Sequence, residues 1–379
     1  MTAVKVPGIS ELLRGKVVGA RVAPAAAAGY VCASTGATRT GVGAAGSLPG
    51  GDVVTPASIF DLASVSKPVL ACAAARLAAA GVLELGQPLG SLLPEARGTA
   101  SEWVSLELLL AHRAGLEAHR ALFAPVLAGQ PVRRDLFLRT AAAGRRPECD
   151  EAPAEGGFAP IYSDLGYALV GAALEVATGA PLDAVLRDQV AAPLGLELGS
   201  ARQLRATRAS FARDVAPTEV VRARGGALRG VVHDENAWAL SGHGASGHAG
   251  LFGTVEAVLG FGAELLAALD GRSAWLSREA LWTLVRPRPG GTLRAGFDGK
   301  SPSPAASSAG SLAGEQTFGH LGFTGTSLWC DPRAGIVTVL LTNRVCPTRD
   351  NPRIKAARPL VHDALFAAAR DVLPGPPNP

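Results

Sequence analysis

Ser64 and Lys67 stand in the spacing Ser-x-x-Lys at the start of a long apolar helical pattern. Positions i and i+3 share one face of a helix, so the two side chains are expected to meet. A serine hydroxyl is a weak nucleophile at neutral pH, and a desolvated lysine can remove its proton or pass the proton on. The pair therefore predicts a nucleophile with its base, although a capping serine followed by a surface lysine has the same spacing.

Tyr162 and Asp164 form a second candidate group, just before an amphipathic pattern that runs from Leu165 to Thr178. A phenol transfers a proton efficiently when a nearby cation lowers its pKa. The alternative interpretation is a loop tyrosine with Ser163 or Asp164 capping the next helix.

A third segment, Gly319 to Thr326, contains His320, Gly322 and Phe323 and precedes two β-type runs. Those runs and the turn between them predict antiparallel strands. Glycines in such a strand allow a ligand or another backbone to approach closely, although a glycine-rich hairpin without a ligand has the same pattern.

The elements that must position these groups come from both ends of the chain. Helical periodicity dominates from about residue 86 to residue 262, whereas β-type runs lie near residues 29–43 and 318–341. The predicted fold is α/β (α+β), with an antiparallel sheet flanked by helices and an inserted, mostly helical domain. We expect an α/β domain from residues 1–85 and 270–379 and a helical domain from residues 86–269.

Taken in order, the three segments resemble the motifs Ser-x-x-Lys, Tyr-x-Asn and Lys-Thr-Gly of the serine β-lactamase and penicillin-binding-protein superfamily. The matching residues are Ser64-Val65-Ser66-Lys67, Tyr162-Ser163-Asp164 and His320-Leu321-Gly322. The chain is most similar to the class C-like branch, which includes carboxylesterases and D-amino-acid peptidases. The resemblance implies a β-lactamase/transpeptidase-like fold with its active site in the cleft between the domains.

The resemblance also implies a role for each matched residue. Ser64 would attack a carbonyl, with Lys67 and Tyr162 transferring protons. The backbone N–H groups of Ser64 and Phe323 would hold the oxyanion, and His320, Gly322 and Asp164 would lie beside the substrate. Whether Lys67 or Tyr162 is the acylation base stays open.

Two departures from the superfamily pattern change the charge beside the nucleophile. Asp164 replaces the usual asparagine, and its carboxylate is expected to hold Lys67 as an ammonium ion. His320 replaces the usual lysine, and a histidine is mostly neutral at pH 7. Efficient β-lactam hydrolysis is therefore not expected, unless Arg344 and Arg349 supply the contact to the substrate carboxylate that His320 does not.

Three functions remain as hypotheses. The first is a serine hydrolase that acts on small esters or D-amino-acid amides and peptides. The second is a β-lactamase or D-Ala-D-Ala carboxypeptidase, and the third is a non-catalytic binding protein on the same scaffold. The intact Ser64, Lys67 and Tyr162 favour an enzyme with a small-molecule ester, amide or lactam substrate.

Composition narrows the function classes further. The chain has 379 residues, 48% of them hydrophobic, and a net charge of +4 without any Lys/Arg block, which does not suggest nucleic-acid binding. No apolar run reaches the length of a membrane span, and the amino terminus lacks a signal-peptide pattern, so a cytoplasmic location is expected. The sequence gives no indication of oligomeric state.

No cofactor or metal is expected. The segments His233-Asp234-Glu235 and Gly247-His248-Ala249-Gly250 lack metal-ligand spacing, and we interpret them as sources of capping and loop hydrogen bonds. The low-complexity segment 299–314 predicts a mobile loop that ends just before the third motif. It is predicted either to overhang the cleft or to be a surface insertion without a role there.

Overall fold

The computed structural model describes residues 8–34, 37–149, 151, 153–303 and 307–371. A six-stranded antiparallel sheet with the order β2-β1-β11-β10-β9-β8 forms its centre, and two small sheets with the orders β3-β7-β4 and β5-β6 lie apart from it. The strands are β1 (Ala25–Ser34), β2 (Ala37–Gly46), β3 (Phe60–Asp61), β4 (Leu198–Ser200), β5 (Pro217–Val221), β6 (Gly226–Arg229), β7 (Leu251–Gly253), β8 (Asp298–Gly299), β9 (Phe318–Leu321), β10 (Ser327–Asp331) and β11 (Ile336–Thr342).

Helices connect and cover the strands. They are α1 (Gly8–Leu13), α2 (Ser66–Ala79), α3 (Leu89–Leu92), α4 (Leu106–Leu110), α5 (Ala124–Leu127), α6 (Arg134–Ala142), α7 (Asp164–Thr178), α8 (Leu182–Leu186), α9 (Ala201–Thr207), α10 (Phe211–Asp214), α11 (Glu235–Ser241), α12 (Val255–Leu269), α13 (Arg278–Val285) and α14 (Ile354–Asp371). Short 3-10 turns span Ala63–Val65, Pro94–Ala96, Pro147–Cys149 and Arg222–Arg224, and π-helical turns span Arg14–Gly19 and Arg187–Ala191.

The central sheet joins the two ends of the chain, as the sequence predicts. Strand β1 pairs with β11 from Ala26 opposite Thr342 to Cys32 opposite Ile336, and it pairs with β2 on its other side. The consecutive residues Ala25 to Ala28 of β1 are all buried. Because successive residues of a strand point to opposite faces, both faces of β1 are buried. Helices α1 and α14 cover one face, and α12 covers the other.

The inserted region is mostly helical and contains α3 to α11. Helix α12, which immediately precedes the predicted boundary at residues 269 and 270, packs against β1, β10 and β11. The division into residues 1–85 with 270–379 and residues 86–269 stays a prediction. Among the described residues, no single helix is both long and apolar enough to cross a bilayer. One bent pair of helices, Asp164–Thr178 with Leu182–Ala191, is long and apolar enough when the two are taken together, by length and composition alone.

Candidate active site

Ser64 lies in the 3-10 turn between β3 and α2, so α2 begins two residues later than the sequence suggests. The preceding residue, Ala63, has a φ of +47°, a left-handed conformation that costs free energy for a residue with a Cβ. The buried Asp61 offsets this cost, because its Oδ1 accepts a hydrogen bond from the Ala63 N–H at 2.8 Å. This tight turn leaves Ser64 partly exposed.

The loop after β9 holds the same turn from the other side. The Thr324 hydroxyl donates to the Asp61 carbonyl at 2.8 Å, and the Thr326 hydroxyl donates to the Leu62 carbonyl at 2.9 Å. A Cβ on Gly322 would lie 1.9 Å from Thr326 Oγ1 and 2.6 Å from the Leu62 carbonyl oxygen. Glycine at position 322 is therefore required for the close approach of this loop to the nucleophile turn.

Lys67 is fully buried and donates three hydrogen bonds. Its Nζ contacts Ser64 Oγ at 2.8 Å, Asp164 Oδ1 at 2.8 Å and the His248 carbonyl oxygen at 3.1 Å. Burial by itself lowers the pKa of Lys67, but the nearby Asp164 and then Tyr162 raise it, and the net pKa lies above the usual value. With three acceptors for three N–H donors, Lys67 is an ammonium ion at neutral pH.

Tyr162 lies over the Lys67 ammonium, with Nζ 4.8 Å from the ring centroid. Burial raises the pKa of the Tyr162 phenol more than Lys67 lowers it, so the phenol is protonated at neutral pH. The His112 ring stacks on Tyr162 with centroids 4.6 Å apart. His112 Nδ1 accepts the Ser163 N–H at 3.0 Å, which fixes the ring that supports Tyr162.

His320 lies behind Tyr162, with ring centroids 5.9 Å apart, and it does not line the active-site cavity. Its Nδ1 donates to the Leu321 carbonyl at 2.8 Å, so the neutral ring leaves Nε2 as an acceptor. Burial, and then the Lys67 charge, lowers the pKa of His320 to about 3. The histidine is therefore neutral, as the sequence suggests, and it lies beneath the cavity wall, where it is only 3% exposed. Its place beside a substrate stays a prediction.

A cavity of about 610 Å³ opens above Ser64, and Tyr162, Asp164, Gly322 and Phe323 line it as well. The Ser64 and Phe323 backbone N–H groups donate to no protein acceptor within the described residues. They are thus available for a developing oxyanion. The described residues of segment 299–314 do not line this cavity, and Ser311 and Leu312 instead hydrogen-bond to Asp363 of α14.

The far wall of this cavity is cationic. Arg344 and Arg358 are each less than a tenth exposed, and neither has a carboxylate within 4 Å among the described residues. Their donors go to backbone carbonyls, including that of Phe323 for Arg344 and that of Gly322 for Arg358. Burial, and then Arg344, lowers the pKa of Arg358 to about 10. An anionic group in the cavity would therefore stabilise two buried cations.

Arg349 differs from these two arginines because it is already paired. It contacts Glu219 and Glu235, which offset its charge. Both arginines simply follow the last strand of the sheet, so their sequence positions do not distinguish Arg349 from Arg344.

The histidines of the two other candidate segments make pairwise contacts. His233 Nε2 lies 2.9 Å from Glu219 Oε2, and His248 Nε2 lies 2.8 Å from Asp234 Oδ1. Asp234 also caps α11 by accepting the Ala237 N–H. Among the described residues, no group of three or more His, Cys, Asp or Glu side chains has the geometry of a metal site.

Sequence reasoning did not identify three of the groups that build this site. They are the His248 carbonyl, which accepts a hydrogen bond from Lys67, the His112 ring under Tyr162, and the Asp61 carboxylate under the nucleophile turn. A backbone carbonyl has no side-chain signal in the sequence, and neither His112 nor Asp61 lies within one of the three motifs.

The chain is similar to several known proteins. The model of the family described as Beta-lactamase matches residues 12–362. A putative D-alanyl-D-alanine carboxypeptidase of Salmonella gallinarum is 32% identical over 213 residues, which cover 51% of this chain and 47% of the relative. An N-acetylmuramyl-L-alanine amidase of Bacillus subtilis is 27% identical over 324 residues, covering 78% of this chain and 71% of the relative.

The chain spans about half the length of the first curated relatives that it matches. Among solved structures, the class C beta lactamase of Rhodobacter sphaeroides aligns with a TM-score of 0.67 at 17% identity, covering 94% of this chain and 99% of that one. At this identity the likeness establishes the shared α/β fold, which confirms the predicted fold class.

Proposed function

The chain belongs to the Beta-lactamase family, and from this premise we propose that it is a serine hydrolase acting through an acyl-enzyme on small esters or D-amino-acid amides and peptides. One observation carries the proposal above all. Lys67 Nζ lies 2.8 Å from both Ser64 Oγ and Asp164 Oδ1, at the floor of an open cavity. A buried cation that contacts an accessible hydroxyl is the arrangement of an activated nucleophile.

The proposed reaction begins with attack of Ser64 Oγ on the substrate carbonyl carbon. The Ser64 and Phe323 N–H groups stabilise the resulting oxyanion, and the leaving group departs with a proton. Water then attacks the acyl-enzyme, and Ser64 recovers its hydroxyl proton. A carboxylic acid and an alcohol or amine are the products.

Removal of the Ser64 proton requires both Lys67 and Tyr162. As an ammonium ion that donates three hydrogen bonds, Lys67 has no lone pair to accept a proton. The Tyr162 phenol is likewise protonated at neutral pH. Neither group accepts the Ser64 proton until the pair has lost one proton. The base is therefore the pair and not either residue alone.

The neutral His320 favours esters and amides that have no carboxylate beside the scissile bond. A lysine at this place in the third motif would carry a permanent charge, whereas His320 is neutral and does not line the cavity. Substrates that lack the carboxylate therefore lose no contact when histidine replaces this lysine.

The first test is covalent labelling. A fluorophosphonate incubated with the protein should form one adduct, mapped by mass spectrometry to Ser64, and the protein should hydrolyse p-nitrophenyl butyrate. Ser66→Ala is the matched control, because Ser66 lies two residues away and bonds to the Leu251 N–H. Labelling of another serine would rule out Ser64 as the nucleophile. An unlabelled protein without esterase or amidase activity would instead point to a binding protein on this scaffold.

A second candidate function, a carboxypeptidase of the D-Ala-D-Ala type, is favoured by the cationic wall. Arg344 lines the cavity without a carboxylate partner among the described residues, so a substrate carboxylate would gain a charge-assisted contact there. Arg344→Gln should lower kcat/KM for an acyl-D-Ala-D-Ala peptide, and for nitrocefin if it is cleaved, by roughly tenfold to hundredfold. The rate with p-nitrophenyl butyrate should stay within about twofold of wild type.

Arg349→Gln is the control for this measurement, because Glu219 and Glu235 already neutralise Arg349. Equal losses for peptide and ester in Arg344→Gln would show that this arginine supports the loop after β9 and does not recognise a carboxylate.

A further inference from the structure

A second cavity, of about 420 Å³, lies between the end of α12, helix α13 and the start of β9. It shares no lining residue with the cavity above Ser64. Its volume falls within the range of small-molecule binding pockets, which is roughly 300–1,000 Å³. The proposed reaction gives this cavity no role.

Arg294 is the buried charge of this second cavity. Its side chain is 8% exposed, and its Nη1 donates to the Val285 carbonyl at 2.6 Å. Within the described part of the chain, Nε and Nη2 have no protein acceptor, and no carboxylate lies within 4 Å of the guanidinium.

The neighbouring charge of Asp298 does not fully compensate the buried charge of Arg294. Burial lowers the pKa of Arg294 more than the neighbouring Asp298 raises it, so the net pKa lies below the usual value. A guanidinium has five N–H donors and no acceptor, and a buried one gains most from an anionic partner. Two adjacent donors of its planar fork match the two oxygens of a carboxylate.

Most of the other side chains that line the cavity are apolar or aromatic. Trp282 is 54% exposed, which is unusual for so large an apolar side chain, and the buried Phe318 ring packs 6.0 Å from the Arg294 guanidinium. Leu269, Val285, Pro287 and Pro332 extend this surface. The lining also contains Asp270, Arg278, Glu315 and Gln316. These four side chains are exposed to water, where solvent and salt screen the charges of the first three.

From these contacts we propose that the second cavity binds a small molecule that joins a carboxylate to an apolar body. The carboxylate pairs with Arg294, and the apolar body lies against Trp282 and Phe318. Binding would bury the exposed tryptophan and pair the guanidinium at the same time. The proposal is independent of the reaction at Ser64.

The test uses phenylbutyrate and its neutral analogue phenylbutyramide as probes, with binding measured by calorimetry and by tryptophan fluorescence. Wild-type protein should bind one equivalent of the acid at this site, roughly tenfold to hundredfold more tightly than the amide. Arg294→Gln should remove the preference for the acid. Arg344→Gln, which removes a cation from the other cavity, should leave the preference unchanged.

Trp282→Ala is a second variant that does not disturb a buried side chain, and it should weaken both probes by about tenfold or more. Equal affinity for acid and amide in the wild-type protein would overturn the role of Arg294. Loss of binding in Arg344→Gln, with binding retained in Arg294→Gln and Trp282→Ala, would place the probe in the Ser64 cavity. Absence of binding at millimolar probe would overturn the site altogether.

Discussion

Lys67→Ala should lower kcat/KM for p-nitrophenyl butyrate by about three powers of ten or more, the range typical for loss of a general base and its positioning. The alanine removes the cation that contacts Ser64 Oγ and leaves Asp164 and the His248 carbonyl without their shared donor. Tyr162→Phe should have an effect of similar size, because it removes the other proton-transferring group while retaining the ring that stacks on His112.

The double variant should be little worse than either single one, since the two residues act as one unit. The matched control is Tyr167→Phe. Tyr167 also lies near Lys67, with Nζ 5.3 Å from its ring centroid, but its hydroxyl donates to the Leu110 carbonyl and does not line the cavity. Additive losses in the double variant, or an equal loss in Tyr167→Phe, would contradict a shared proton-transfer unit.

The contact between Ser64 and Lys67 was predictable because it is local. Residues three apart in a helical turn meet whatever the rest of the fold does, and the structure places their side chains 2.8 Å apart. Asp164 is 97 residues from Lys67, so no periodicity brings the two together. Only the ordered motifs and their resemblance to a known family placed Asp164 near the nucleophile.

The fold class was predictable because the sheet alternation lies at both ends of the chain and the helical periodicity lies between them. The start of β1 at Ala25 was not, since a run of alanines carries no strand propensity and becomes a strand only through pairing with β2 and β11. The position of His320 was also beyond the sequence. Strand β9 can present either face to the cavity, and the register that points His320 toward Tyr162 is set by its pairing with β10.

Asp164→Asn should shift the rising limb of the kcat/KM profile, which lies above neutrality, to lower pH. The Asp164 charge raises the pKa of both Lys67 and Tyr162, and without it burial dominates at Lys67 and lowers the lysine pKa. The wild-type rate should therefore still rise with pH above neutrality, because the reactive pair must first lose a proton. In the variant a larger fraction of the pair is deprotonated at the same pH.

The same substitution should destabilise the protein in a pH-dependent way. The wild-type pKa of Lys67 lies above its unfolded value, so the stability that Asp164 provides is present below the unfolded pKa and is lost as pH rises through the folded pKa. At neutral pH, an unpaired buried ammonium costs about 3–5 kcal/mol, less whatever deprotonation of the amine recovers. The difference in Tm between wild type and variant should thus be largest near neutrality and should shrink as the solution becomes alkaline.

The measurement is a pair of profiles between about pH 6 and about pH 11, one for kcat/KM with p-nitrophenyl butyrate and one for Tm. Glu235→Gln is the matched control, because Glu235 lines the same cavity but pairs with Arg349. Its rate profile should coincide with that of the wild type. An unchanged profile in Asp164→Asn would place the carboxylate outside the proton-transfer unit. A wild-type rate that falls as pH rises, with the fall moved to lower pH in Asp164→Asn, would mean that acylation requires the ammonium form of Lys67 and not its neutral form.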